Sequence, residues 1–231
     1  MSRIPRTGLT YGLVETLGQA VVGGTYDAGG FPTEAELSAR FGASRTVARE
    51  AVKMLTAKGL LTSRPRQGTR IEPLPRWNLL DPDVARWLTA RPYSNATFRQ
   101  LTEVRLAIEP VAAALAARRA SGDDLRAIRA GYDGMCKYAG RHDMALLADI
   151  EFHVAILRAS GNAFLIQLTT LIRTALTLSI GLTNRIAGHT ASLRDHEAVL
   201  LAIEARDEAG AEGALRAILR ESLELMDSLN A

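Results

Sequence analysis

The chain has 231 residues, 47% of them hydrophobic, which is enough for one large core or two ordinary ones. No run approaches the roughly 18 consecutive apolar residues of a membrane span, and the start has no apolar block with a small-residue cleavage site; one cysteine, Cys136, excludes an intrachain disulfide, so a cytoplasmic protein is expected. The net charge of +3 is uneven: residues 1–76 hold 11 Lys and Arg against 6 Asp and Glu, the remainder 17 against 19, so only the front suits a polyanion.

Thr10 to Val22 reads as a helix closed by Gly23 and Gly24. Thr33 can cap a second helix, Glu34 to Phe41, with Glu36 as its capping-box partner and Gly42 as its end. Ser44 then caps a third, running to about Lys58 before Gly59 stops it. Within "SRTVAREAVKML", Val47, Ala48, Ala51, Val52 and Leu55 share one helical face, while Arg45, Arg49 and Lys53 stack four apart on another. Two short helices in succession form a helix-turn-helix pattern. Beyond Gly59, Leu60 to Ser63 and Thr69 to Glu72 are β-compatible around the turn "RPRQG", which reads as the wing of a winged helix. The apolar face then packs the small domain, and the cationic face is free to enter a DNA major groove. Arg45, Thr46 and Arg49 lie in the first turns, the end that reaches base edges, and Arg64, Arg66 and Gln67 approach from the side. A solvated helix face is the ordinary alternative for a three-cation stripe; the wing and the capped helix before it weigh against that alternative.

The whole stretch from Gly23 to Ile71 resembles the head domain of GntR-type transcriptional regulators. The likeness rests on the opening Pro-Thr-Glu-x-Glu-Leu, the block Ser-Arg-Thr-x-x-Arg-Glu-Ala, and the wing Gly-Leu-Leu…Gly-Thr. It implies DNA contacts at Arg45, Thr46 and Arg49 and at the wing near Gly68.

Pro73 and Pro75 discourage regular structure and mark a boundary. The expected domains are a winged helix-turn-helix over 1–76, a linker with a short helix over 77–96, and a body over 97–231. Asp81 and Pro82 start the short helix, which runs to Leu88. Trp77 and Trp87 are expected as packing anchors between linker and body, with ligand stacking as the alternative. From Thr97 on, helices are expected over 97–119, 122–140, 143–159, 163–186, 190–205 and 208–229, with no sustained two-residue alternation. The fold class is therefore mostly α, a winged head followed by a bundle of about six helices. This architecture resembles the FadR-like GntR subgroup with an FCD-type effector domain, and "WNLLDPDVARWL" resembles the sugar-acid repressors, galactonate-responsive ones among them.

Three polar residues stand out in the body. Asp149 and His153 lie four apart in "LLADIEFHVAIL", and His196 follows in "LRDHEAVLLAI". One carboxylate and two imidazoles from two helices suit a divalent metal such as zinc, nickel or manganese; a hydrogen-bonded Asp–His pair beside an unrelated surface histidine is the alternative. Metal-binding members of the resembling family use these three positions and often a fourth histidine, at the place held here by Ile218. That departure implies either a three-ligand site completed by water or effector oxygens, or a pocket without metal. His142 and His189 read as bystanders. Arg105 offers a fork for a carboxylate, although an ordinary pair with Glu109 is equally compatible with its spacing. The resemblance favours Arg105 as a holder of an acidic effector, with Arg173 as a weaker candidate. The expected function is a homodimeric, ligand-responsive regulator that binds a palindromic operator in double-stranded DNA, with a small carboxylate or sugar acid as effector and no membrane partner. A metal-dependent enzyme built on the Asp/His/His cluster is the alternative.

Overall fold

The structure, a computed structural model, describes residues 6–27, 30–64, 68–89, 95–187 and 192–228. It divides into two compact units, Met1–Pro92 and Tyr93–Ala231.

The first unit comprises α1 (Arg6–Val22), α2 (Glu34–Phe41), α3 (Arg45–Ala57), β1 (Leu61–Arg64), β2 (Gly68–Ile71), a 3-10 turn (Leu74–Arg76) and α4 (Pro82–Leu88). Thr33 caps α2 reciprocally: its Oγ1 accepts from the Glu36 N–H at 3.3 Å, and the Glu36 carboxylate accepts from the Thr33 N–H at 2.8 Å. Ser44 Oγ accepts from the Val47 N–H at 3.3 Å and starts α3. The end of α3 is equally defined. Gly59 N–H bonds to the Thr56 carbonyl and Leu60 N–H to that of Leu55, a Schellman closure. Gly59 sits at φ +76, and a Cβ there would fall 2.5 Å from the Arg76 carbonyl oxygen, so no other residue fits. Ala48, Ala51, Val52 and Leu55 of α3 are buried with Leu13, Leu17 and Val21 of α1 and Leu37 of α2. β1 and β2 pair antiparallel from Leu61↔Ile71 to Arg64↔Gly68.

The boundary differs from the sequence expectation. Residues 77–88 fold with the head, and the division falls after Pro92 instead of Arg76. The prolines interrupt regular structure without ending the domain, because α4 carries an apolar face (Val84, Ala85, Trp87, Leu88) that is buried in this unit. Polar ties reinforce it. Asp81 caps α4 through the Asp83 and Val84 N–H groups, Lys58 reaches Asp81 and Asp83 at 2.8 Å, and Arg86 forks onto Glu15 of α1 at 2.6 and 2.7 Å. Trp77 and Trp87 are thus buried within the head, and the Trp77 indole N–H donates to the Glu72 carbonyl at 2.6 Å.

The second unit is a helical bundle: α5 (Asn95–Arg119), α6 (Gly122–Lys137), α7 (His142–Ala159), α8 (Ala163–Gln167), α9 (Thr169–Ala187), α10 (Leu193–Glu204) and α11 (Glu208–Ser228). The single helix expected over 163–186 is two. At the break the Leu168 N–H bonds only three residues back, to Leu165, and the Thr169 hydroxyl donates to the Ile166 carbonyl at 2.6 Å. Ala112, Ala113, Ala116 and Ala117 give α5 a small-residue face in a core shared with Ala211 and Leu215 of α11. α7 is the central helix, with Ile150, Phe152, Val154, Ile156 and Leu157 all buried. Its approach to α6 is fixed at Gly131, where a Cβ would lie 2.7 Å from the Phe152 Cα. Among the described residues no helix is long and apolar enough to cross a membrane.

Candidate nucleic-acid interface and metal centre

α3 turns its apolar side inward and leaves Arg45, Thr46, Arg49 and Lys53 exposed. Lys53 pairs with Glu50 at 3.0 Å. Arg45, Thr46 and Arg49 have no side-chain hydrogen bond or ion pair among the described residues, so the two guanidinium groups meet no protein anion. In the wing, pairing of Thr62 with Arg70 puts Arg70 and Arg64 on the same face of the hairpin, where both are exposed and line one groove. Gly68 opens β2 at φ +76 with open space around it. Arg66 and Gln67 lie outside the described residues. Arg70 is absent from the sequence-level candidates; strand alternation across the hairpin register is the signal that finds it.

In the second unit, α7 presents Asp149 and His153 one turn apart, and α10 brings His196 to them in its own first turn. All three are buried. Asp149 Oδ1 stands 3.2 Å from His153 Nε2 and 3.3 Å from His196 Nε2. The three ligating atoms lie within 4.8 Å of one another. Atoms held about 2.1 Å from one ion at tetrahedral angles stand about 3.4 Å apart, so these separations suit a common cation.

The protons point to the same conclusion. His196 Nδ1 lies 2.8 Å from the Ser192 carbonyl oxygen, which only accepts, so that nitrogen carries the proton and Nε2 offers a lone pair. His153 Nδ1 lies 2.5 Å from Glu109 Oε2, which leaves Nε2 as the second lone pair. Asp149 Oδ1 and His196 Nε2 have no hydrogen-bond partner although both are buried. Three electron-rich atoms facing one point, with no donor among them, call for a positive charge. A proton can supply it: burial favours a neutral His153 ring, but the carboxylates of Glu109 and Asp149 on either side outweigh that and raise it to about 9. A divalent ion can supply it too, and the donor set of two imidazoles and a carboxylate fits one.

Glu109 is the residue sequence reading placed only in an ordinary pair with Arg105. That pair exists, Arg105 Nε to Glu109 Oε1 at 2.7 Å, with both residues buried. The second carboxylate oxygen goes on to His153, so Arg105, Glu109, His153 and Asp149 form one buried chain of charge across α5 and α7. Burial pushes the Glu109 carboxyl up, and the charges of Arg105 and His153 outweigh it and bring it down to about 2. Arg173 is not brought to this cluster. It pairs at 2.8 Å with Glu151, on the side of α7 turned away from Asp149 and His153. Ile218 is half-buried against the core, His142 is exposed, and His189 lies outside the described residues.

Comparison with known proteins adds the following. Residues 10–71 match the family described as bacterial regulatory proteins, gntR family, and residues 100–221 match the FCD domain. The galactonate operon transcriptional repressor of Escherichia coli K12 is 32% identical over 91% of this chain and 93% of its own length. The uncharacterised HTH-type regulator YieP of the same organism is 33% identical over 92% and 93%. Among solved structures, Lar, which controls expression of the Listeria monocytogenes agr system, superposes with a TM-score of 0.66 at 16% identity over 99% of both chains.

Proposed function

Because the chain belongs to the GntR family of bacterial regulatory proteins, with an FCD domain as its second unit, we propose that it is a ligand-responsive repressor of a sugar-acid operon. The family and these relatives are transcriptional regulators, not enzymes, and the metal-dependent enzyme is set aside. The head binds a palindromic operator as a homodimer, one half-site for each head. Arg45, Thr46 and Arg49 read base edges, and Arg64, Arg66, Arg70 and the wing near Gly68 hold the backbone. The observation that carries this reading is the exposed edge of α3, whose two guanidinium groups meet no partner in the described protein.

In the second unit Asp149, His153 and His196 hold a divalent ion, which would supply a positive centre for an acid. Arg105, fixed by Glu109, supports the acid end of the effector; Arg173, tied to Glu151 on the other side of α7, is not part of this reading. Effector binding shifts the population between DNA-competent and DNA-incompetent states. Similarity to the galactonate operon repressor makes galactonate the first acid to try.

The test begins by selecting binding sites from random duplexes and measuring gel-shift affinity for the best. Arg49→Ala should weaken specific binding by about 1–3 kcal/mol, and galactonate or a related acid should release the wild-type protein. Unchanged affinity in the variant removes Arg49 from the interface; no enriched duplex at all removes the reading.

A further inference from the structure

We propose that Glu109 is the positioning residue of the metal centre: it fixes His153 so that Nε2, not Nδ1, is offered to the ion. The inference rests on the metal reading above and deepens it.

The geometry is specific. A histidine can ligate through either nitrogen, and which one does so is set by what the other nitrogen touches. For His196 that partner is the carbonyl of its own capping residue, four positions back, which every helix supplies. For His153 no such local carbonyl serves. Its Nδ1 is met instead by a carboxylate 44 residues away in sequence, from a different helix. The carboxylate is itself held: Oε1 accepts from Arg105 Nε at 2.7 Å while Oε2 accepts from His153 Nδ1, so each oxygen has one fixed donor and the group cannot turn. With 0% side-chain exposure, Glu109 has no water to replace either donor.

The consequence is a division of labour within α5. Arg105 neutralises and orients Glu109, and Glu109 orients His153. Without Glu109 the ring is free to take the other tautomer, which would aim an N–H at Asp149 Oδ1 and close the centre to a cation.

Two substitutions separate orientation from packing. Glu109→Gln keeps the shape and still offers an amide oxygen to Nδ1, but loses the charge that strengthens His153 as a ligand. Glu109→Ala loses both. Cobalt(II) serves as the probe, titrated into the chelator-treated full-length chain and followed by its visible absorption, with zinc competition to set affinity. Glu109→Gln should bind about tenfold more weakly and Glu109→Ala about a hundredfold, the range typical for loss of such an outer partner, with an altered cobalt spectrum in the alanine protein. Circular dichroism of the metal-free proteins reports folding separately, and the glutamine variant decides the matter if the alanine variant does not fold. Wild-type affinity and spectrum in Glu109→Gln and in any folded Glu109→Ala would overturn the assignment while leaving the metal site standing. Failure of the wild-type chain to bind cobalt or zinc would overturn both.

Discussion

Asp149→Asn is the sharpest perturbation of the second unit, because it keeps the size of the side chain and removes the charge on which two imidazoles converge. In the metal-free chain Asp149 Oδ1 and His196 Nε2 are buried without hydrogen-bond partners. A buried polar group left unsatisfied costs about 1–3 kcal/mol, and because a proton on His153 faces Asp149 at neutral pH, about one such cost is left for a cation to relieve. By mass action, an ion at a hundredfold excess over its dissociation constant stabilises the folded state by about 2.7 kcal/mol. For a unit of this size that corresponds to a rise in melting temperature of roughly 10 °C. Calorimetric melting of the full-length chain, with chelator and then with excess zinc or nickel, measures it directly. The wild-type protein should show the full shift in the transition of the helical unit, and Asp149→Asn less than half of it. Equal shifts in the two proteins would show that the ion binds elsewhere, and no shift in the wild type would refute the cation argument altogether.

Three further outcomes are expected. Arg70→Ala should weaken binding to all duplexes about equally and lower the slope of log affinity against log salt by about 1, as loss of a single phosphate contact does; an unchanged slope places Arg70 off the backbone. Divalent-ion affinity should climb with pH by roughly tenfold per unit up to about pH 9, because a ligating imidazole must be deprotonated and His153 holds its proton to about 9; titration calorimetry at three pH values checks this, and a flat profile contradicts it. Gly131→Ala should destabilise the helical unit by about 1–3 kcal/mol by forcing α6 from the Phe152 backbone, leaving DNA binding by the head intact; chemical denaturation with gel shift separates the two.

What sequence could and could not reveal follows from the range of each interaction. Thr33 with Glu36, Ser44 with Val47, and Asp81 with Val84 act over three residues, so their residue types alone placed the starts of α2, α3 and α4. Asp149 and His153 share a face by helical spacing, and their grouping with His196 was readable because a histidine is an uncommon residue in an apolar helix. Glu109 shows the limit. Its spacing to Arg105 is the ordinary one for a surface pair, and nothing local says that α5 lays its carboxylate against a ring on α7. The prolines at 73 and 75 misled for the opposite reason: they report backbone restriction, whereas the domain boundary is decided by where the apolar face of α4 is buried. The break at Leu168 has neither glycine nor proline to announce it, only side-chain and carbonyl bonds formed after folding.

The charges of the helical unit also bear on what the effector must be. Arg105 and Glu109 cancel, Asp149 contributes one negative charge, and the two imidazoles that would ligate the proposed ion are neutral when they do so. A divalent ion therefore leaves one positive charge in excess among groups that are at most 4% exposed. An uncompensated charge in so dry a place is costly, and one carboxylate removes it. A neutral sugar, however well it fits, leaves the excess where it was. Acid and ion should accordingly strengthen each other's binding by the same factor, since linkage between two ligands is reciprocal. Measuring galactonate affinity with and without zinc, and zinc affinity with and without galactonate, tests this without knowledge of the operator. A matching neutral sugar or lactone that showed equal coupling to the ion would defeat the charge argument.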